Sequence, residues 1–197
     1  SYLCRFGNYF STGPVASSSW IRETNTTRVL PNLNNPHNGN LALWPGMGTS
    51  NGNLIQGLAI STVGYNWCVV ASTLQTNQEG GVPFKASPGD RVTYDYEYND
   101  ATARYDQTVS VNGKVISTLS TTSDHAQGWG TAVECQQAAC GTVPQHQYID
   151  SILTLDVADP NYSKTLALND ASGSLTTADA GITWIVADIT VQQFTFT

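Results

Sequence analysis

Charged side chains are scarce in this sequence. Asp, Glu, Lys and Arg together make up 12% of its 197 residues, and only 8 of them are Lys or Arg. Binding to nucleic acid needs clustered cations facing the phosphates, and eight scattered basic residues form no such patch. The formal net charge of -7 opposes such binding further. We therefore expect no nucleic-acid partner.

Long apolar runs and helical periodicity are also missing. No stretch approaches the roughly 20 apolar residues that cross a bilayer, and no signal peptide is recognisable at the start. The composition relies on Ser, Thr, Asn, Gln and Gly for solubility, which is typical of secreted β proteins. We expect a mature extracellular chain with no membrane partner.

Familiar metal and nucleophile motifs are absent. The histidines His37, His125 and His146 have no HxH or HExxH spacing, no two cysteines form a CxxC pair, and no calcium-loop pattern occurs. The nucleophile-elbow pattern GxSxG is missing as well. We expect no metal and no cofactor, so any chemistry must come from carboxylates, amides or aromatic groups.

Four cysteines are present, and an even number in an exported chain favours two disulfides. Cys135 and Cys140 bracket only four residues and could close a small loop, which would leave Cys4 with Cys68. Three pairings are possible on sequence alone. Two N-glycosylation sequons, which begin at Asn25 and Asn161, agree with export.

What the sequence does contain is a period of two. In RVTYDYEYND, Val92, Tyr94, Tyr96 and Tyr98 alternate with polar residues, as in a half-buried strand. Asn112-Gly113 predicts a type I′ hairpin, because both residues accept positive φ. Further strands are predicted at residues 53–63, 65–74, 130–136, 149–157 and 182–197.

These strands predict an all-β fold: two stacked antiparallel sheets forming a concanavalin A-like β-sandwich or jelly roll. Turn signals recur without a change of composition that would mark a linker, so we expect one domain over residues 1–197 and a monomer. The first forty residues look irregular, and residues 1–20 are expected to wrap the sandwich.

Two polar residues stand out within strand-like runs. In GNLIQGLAIS, Gln56 shares its predicted face with Leu54, Leu58 and Ile60, and Glu134 is one of few carboxylates inside a strand. A buried amide can simply satisfy backbone groups, and a strand glutamate is usually solvated. Taken alone, each could be structural.

From about residue 28 onward, the chain contains a series of short motifs: Leu30-Pro31, Leu43-Trp44-Pro45-Gly46, Leu54-Ile55-Gln56-Gly57, Ser87-Pro88-Gly89-Asp90 and Thr131-Ala132-Val133-Glu134. Their order and intervals resemble those of the fungal glutamic peptidases, or eqolisins, which are jelly-roll acid endopeptidases. That family has Val-Pro, Trp-Val-Gly-Ile-Asp-Gly, Leu-Gln-Thr-Gly, a Gly-Asp turn and a strand ending in Glu, in this order.

The resemblance implies roles for three residues. The catalytic glutamine and glutamate of the family correspond to Gln56 and Glu134, and an active-site tryptophan corresponds to Trp44. Glu134 would act as general base on a water, and Gln56 would hold the developing oxyanion. The implied substrate is polypeptide, cleaved in acid.

The chain departs from the family in its supporting carboxylates. The aspartate of the tryptophan motif is replaced by Met47 or Gly48, and the acidic cluster after the glutamate becomes Cys135-Gln136-Gln137-Ala138. A catalytically silent relative of the peptidases therefore stays open as an alternative.

A second alternative is a protein that binds or degrades polysaccharide, since jelly rolls also host lectins and lyases. Its sugar rings would stack on Trp44, Trp67, Trp129 and the tyrosines of residues 94–98. The structural interpretation of those tyrosines is that they form core and surface cross-strand pairs.

Overall fold

The computed structural model describes residues 4–64, 66–137 and 139–197. These residues form twenty β-strands and one 3₁₀ turn at Tyr162–Thr165, and they contain no α-helix. Within the same residues, no helix has the length and apolarity needed to cross a membrane.

One layer, which we call the groove sheet, consists of β1 (Arg5–Phe6), β2 (Tyr9–Thr12), β4 (Asn40–Thr49), β5 (Leu54–Thr62), β6 (Trp67–Leu74), β7 (Gln78–Gly80), β8 (Phe84–Ala86), β12 (Ala126–Gln136) and β15 (Ala167–Asn169). It is built around four long strands paired in the order β12, β4, β5, β6. Short strands extend it on both sides: β1 and β2 pair with β12, β15 pairs with β2, and β7 and β8 pair with β6.

The other layer, the back sheet, consists of β3 (Ile21–Val29), β9 (Arg91–Asn99), β10 (Arg104–Val111), β11 (Lys114–Thr122), β14 (His146–Leu155), β16 (Ala171–Ser172), β17 (Leu175–Thr176), β18 (Thr183–Val186) and β19 (Ile189–Val191). Its strands run in the order β11, β10, β9, β3, β14. Next to β14 lie β18 and β19, which pair with β17 and β16. Two further strands, β13 (Gly141–Val143) and β20 (Phe194–Phe196), pair separately.

The apolar core lies between the two layers, as the alternation in β9 predicts. Val92, Tyr94 and Tyr96 are completely buried and belong to one cluster with Ile55 and Ala59 of the groove sheet. The predicted antiparallel β-sandwich is confirmed. The type I′ hairpin is confirmed too, since Asn112 and Gly113 have φ of 49° and 82° and join β10 to β11.

Two expectations about the ends of the chain are wrong. Residues 21–29 are not irregular: they form β3, which pairs with β14 on one side and β9 on the other. Its inward row includes Thr24, Thr26 and Arg28, all buried, so the apolar signal of a strand is absent. The single strand predicted over residues 182–197 is three short strands.

One of the two expected disulfides forms. Cys135 and Cys140 are bonded across a Cα–Cα distance of 5.9 Å, whereas Cys4 and Cys68 are free. Cys4 precedes β1 at one side of β12, and Cys68 lies on β6, with β4 and β5 between them. Strands are spaced about 4.8 Å apart, so these two thiols are several times too far apart for a bond.

Candidate functional site

The amide of Gln56 lies on the outer face of the groove sheet, not in the core. Ile55 and Ala59 of β5 point inward and are fully buried. Gln56 and Leu58 alternate with them and line a groove on the other face. The position of Gln56 in an apolar row is therefore explained by a cleft floor rather than by core packing.

Glu134 and Trp44 line the same groove, which has a volume of about 680 Å³. Trp44 lies on β4 opposite Ala132, and Glu134 lies on β12 opposite Ala42. The alanines leave the floor low around the two larger side chains. The structure thus brings together all three residues that the sequence singled out, on three neighbouring strands.

The carboxylate of Glu134 is held by hydrogen-bond donors on both oxygens. The Trp44 indole Nε1–H donates to Oε2 at 2.8 Å. The Cys4 thiol and the Gln136 side-chain amide donate to Oε1, each at 2.9 Å. Donors on both oxygens fix the direction of the carboxylate, as a general base requires.

Cys4 is a site residue that the sequence did not reveal as one. Phe6 of β1 pairs with Glu134, and this pairing carries the preceding Cys4 to the carboxylate. Burial, the hydrogen bond to Glu134 and the charge of Glu134 raise the pKa of the thiol to about 12. The thiol therefore stays protonated in neutral and acid solution, and it remains a donor.

The side-chain carbonyl of Gln56 has no partner among the described residues. The residue is 4% exposed, and its Oε1 is buried and accepts no hydrogen bond. Ser72 lies opposite on β6, but its hydroxyl already donates to the Glu79 carbonyl at 2.8 Å and accepts from the Gln78 amide. An unpaired buried carbonyl costs about 1–3 kcal/mol. Such a group in a folded protein needs an explanation, and a hydrogen bond to a bound ligand or water is one.

Gln56 and Glu134 are not in direct contact. Gln56 pairs with Gly46, which pairs with Gly130, so the two residues are offset by two strands and by four positions along β12. At about 4.8 Å per strand and 3.3 Å per residue, their Cα atoms are about 16 Å apart. Each side chain reaches at most about 5 Å from its Cα, and strand side chains stand roughly perpendicular to the sheet, so the gap between the two functional groups is at least about 6 Å.

The indole of Trp44 lies in this gap. Its nitrogen meets Glu134, and the far edge of its six-membered ring lies 3.0 Å from where a Cβ on Gly46 would be. Since Gly46 is the register partner of Gln56, the indole extends from the row of Gln56 to the carboxylate. A substrate carbonyl that reaches both residues has to replace the indole.

A second cavity of about 550 Å³ continues the groove on the other side of Trp44, and we call it the glycine pocket. Gly46 and Gly48 of β4 and Gly128 and Gly130 of β12 contribute to its lining. A Cβ on Gly48 would meet no atom within 4 Å. The pocket is therefore open at Gly48.

This geometry decides what replaces the aspartate of the tryptophan motif. Met47 is completely buried in the core, whereas Gly48 faces the glycine pocket. The outward position is thus Gly48, and no side chain occupies the place of the aspartate of the tryptophan motif. After Glu134, the Gln136 amide supplies a hydrogen-bond donor.

The structure removes most of the aromatic platform expected for a sugar-binding protein. Trp67, Trp129, Tyr94 and Tyr96 are at most 2% exposed, so they cannot stack on a ligand. Trp44 alone of the three tryptophans suggested for that role is partly exposed. Tyr94 and Tyr96 of the tyrosine stripe are core residues, whereas Tyr98 is half-buried and packs against the core.

The three histidines are separated and used locally. His37 Nε2 contacts the Ser61 hydroxyl at 2.6 Å, and the His125 ring stacks on Trp20 at 3.8 Å. His146 is buried. Across residues 4–64, 66–137 and 139–197, no group of three or more potential ligands could hold a metal ion.

No protein-family model and no curated protein sequence matches the chain. Solved structures do. A scytalido-glutamic peptidase with a peptide-based transition-state analog has a TM-score of 0.62 at 11% identity, covering 95% of this chain and 99% of that chain. SCP-B, a member of the eqolisin family in complex with the tripeptide Ala-Ile-His, has a TM-score of 0.58 at 11% identity and the same coverage.

Other β-sandwich proteins are less similar. An endo-1,3-β-glucanase from Streptomyces sioyaensis has a TM-score of 0.39 at 11% identity, covering 93% of this chain and 67% of that chain. At these identities the likeness concerns architecture. The chain shares the full-length jelly-roll fold of glutamic peptidases.

Proposed function

We propose that the protein is a secreted acid endopeptidase of the glutamic type, which hydrolyses polypeptide through Glu134 and Gln56. The observation that carries the proposal is the groove itself: Glu134, whose carboxylate is oriented, and Gln56, whose amide carbonyl is buried and unpartnered, line one cavity. Similarity of fold to two glutamic peptidases over nearly the whole chain supports it.

The proposed reaction uses the ionised carboxylate as base. Glu134 takes a proton from a water, whose oxygen attacks the scissile carbonyl carbon. The Gln56 amide N–H donates to the developing oxyanion, and its Oε1 accepts from the water. When the C–N bond breaks, the proton on Glu134 passes to the leaving amine.

Substrate binding has to displace the Trp44 indole from between the two residues. The gap, which is at least about 6 Å wide, then has room for one carbonyl and one water. Trp44 would exchange its bond to Glu134 for contacts with the substrate.

Export of the protein is part of the proposal. Of the two N-glycosylation sequons, the one at Asn161 is exposed, whereas Asn25 lies within β3 and its side-chain amide donates to Asp95.

The test is cleavage of a denatured protein between about pH 2 and 6, the range in which carboxylates titrate, with products identified by mass spectrometry. Glu134→Gln removes the base with little change of shape. Glu97→Gln, an exposed position of the back sheet, is the matched control because it removes one carboxylate far from the groove.

We expect cleavage by the wild type and by Glu97→Gln, and at least a hundredfold loss in Glu134→Gln, the size expected for a general base. The proposal is wrong if the wild type cuts at no pH, or if all three proteins cut equally.

A further inference from the structure

The hydroxyl of Tyr96 lies inside the hydrogen-bond ladder between β4 and β5. Leu43 pairs with Ala59, and Gly46 pairs with Gln56. The same register places Pro45 opposite Gly57, but Pro45 and Gly57 do not pair. The direct ladder is interrupted at this point, directly beneath the groove floor.

Tyr96 replaces the missing strand-to-strand bond. Its hydroxyl donates to the Pro45 carbonyl at 2.7 Å and accepts from the Gly57 N–H. Tyr96 comes from β9 of the back sheet and is completely buried. A side chain of one layer therefore joins two strands of the other.

The sequence at the contact suits this insertion. Proline has no N–H, so Pro45 cannot donate to β5. Glycine has no Cβ, and one on Gly57 would lie 2.1 Å from the Tyr94 ring and 3.1 Å from the Tyr96 hydroxyl. Pro45 and Gly57 therefore leave room for the Tyr96 side chain, which reaches them from the back sheet.

The bridge lies beneath the candidate site. Successive side chains of a strand point to opposite faces, so the neighbours of Pro45 and Gly57 point into the groove. They include Trp44 on β4 and Gln56 on β5. The spacing that the Tyr96 hydroxyl sets between β4 and β5 is therefore the spacing between Trp44 and Gln56.

We propose that Tyr96 is a positioning residue, whose hydroxyl holds Trp44 and Gln56 at the separation that the groove requires. Its importance for catalysis rests on the proposed function. Its effect on the geometry of Trp44 does not, and each can be measured without the other.

The test variant is Tyr96→Phe, which removes only the hydroxyl, and the chain offers a matched control. Tyr105 is also fully buried, and its hydroxyl also joins two strands: it donates to the Ile21 carbonyl at 2.7 Å and accepts from the Ala126 N–H at 2.9 Å. Tyr105→Phe therefore removes the same two kinds of bond away from the groove.

Two readouts separate positioning from loss of stability. The first is the Trp44 indole N–H resonance in a ¹⁵N-correlated NMR spectrum, assigned with Trp44→Phe, together with its exchange rate with solvent. The second is kcat against KM on the denatured substrate. We expect Tyr96→Phe to shift the resonance, to speed its exchange and to lower kcat about tenfold or more at a nearly unchanged KM. Tyr105→Phe should leave all four quantities as in the wild type.

The proposal is overturned if Tyr96→Phe leaves the Trp44 resonance and its exchange unchanged, or if Tyr105→Phe changes them equally. If the wild type cleaves nothing, the proposed function is wrong. The Trp44 resonance and its exchange rate then test the positioning role of Tyr96 without the kinetics.

A second variant covers the case in which Tyr96→Phe does not fold. Pro45→Ala restores an N–H to β4 and allows β4 and β5 to pair directly. It trims the buried proline ring but leaves every aromatic side chain of the core in place. We expect this pairing to displace the hydroxyl and to shift the Trp44 resonance in the same way. An unchanged resonance in Pro45→Ala also overturns the proposal.

Discussion

At the scale of single residues, the site depends on which side chains are missing as much as on those present. Glu134 has donors on both oxygens, but beside Trp44 the floor is bare at Gly46 and Gly48. A Cβ on Gly46 would press on the Ile55 carbonyl and on the Trp44 ring, whereas Gly48 could carry a side chain that would fill the cavity. Space at Gly48 is therefore a property of the site that substitution can remove.

Substitution of Gly48 by Ala, Val and Leu should reduce activity progressively, least with Ala and most with Leu, while the fold persists. A Cβ there meets no atom within 4 Å, so added carbons enter the glycine pocket rather than the core. We expect kcat/KM on the denatured substrate to fall about tenfold with Val and Tm to change little. Equal kcat/KM across the series would show that substrate does not use this pocket.

The free cysteines give a second prediction at this scale. Thiol titration of the unreduced protein in denaturant should find two thiols, those of Cys4 and Cys68. In the native protein Cys4 should alkylate slowly near pH 8, because its pKa is raised to about 12 and the thiolate is the reactive form. A count of zero thiols would mean that a second disulfide exists.

At the scale of elements, β3 and β9 bring like charges together on the back sheet. Glu23 pairs directly with Glu97, and Asp95 lies nearby on β9. Burial first, and then the charges of Asp95 and Glu97, raise the pKa of Glu23. A raised pKa means that the folded state binds this proton more tightly than the unfolded chain does.

The stability that Glu23 contributes is therefore fully present below its pKa in the unfolded chain, about 4.3. It is lost as pH rises through the pKa of Glu23 in the folded state. Glu23→Gln should raise Tm at pH 7, and the gain should vanish in acid solution. Glu79→Gln, on the exposed β7, is the control and should show no such trend. Thermal melts at several pH values measure both, and a gain independent of pH would contradict the argument.

His146 acts in the opposite direction. Its burial lowers the pKa of the imidazole to about 4, so the folded state binds this proton less tightly than the unfolded chain. The stability that it contributes is present above about 6.5, the ordinary value, and is lost as pH falls through 4. Glu23 therefore favours the folded state in acid, and His146 limits this effect.

At the scale of the whole molecule, the sequence predicts those features that follow from local alternation. The burial of β9 and the row that Gln56 shares with Leu58 follow from a period of two, and the hairpin follows from the Asn112-Gly113 pair, which accepts positive φ. The strand β3 was missed because its inward row holds Thr24, Thr26 and Arg28. Arg28 is accommodated between Tyr94 and Tyr148, whose hydroxyls accept its hydrogen bonds, and only the assembled sandwich supplies both.

The remaining features of the site depend on pairing between distant segments. Cys4 reaches Glu134 because β1 pairs with β12, and no pattern near either residue encodes this pairing. Tyr96 likewise meets Pro45 and Gly57 only after the two sheets have packed. The sequence could thus identify Gln56, Glu134 and Trp44 as candidates through the resemblance, but not their neighbours or the indole between them.

The central claim is that Gln56 and Glu134 act on one peptide bond. The most direct measurement is a double-mutant cycle of kcat/KM for cleavage of the denatured substrate, with Gln56→Ala, Glu134→Gln and both together. Groups that act as a unit are strongly non-additive, so we predict that the double variant is no slower than Glu134→Gln alone. Additive losses, or full activity in Gln56→Ala, would contradict the account.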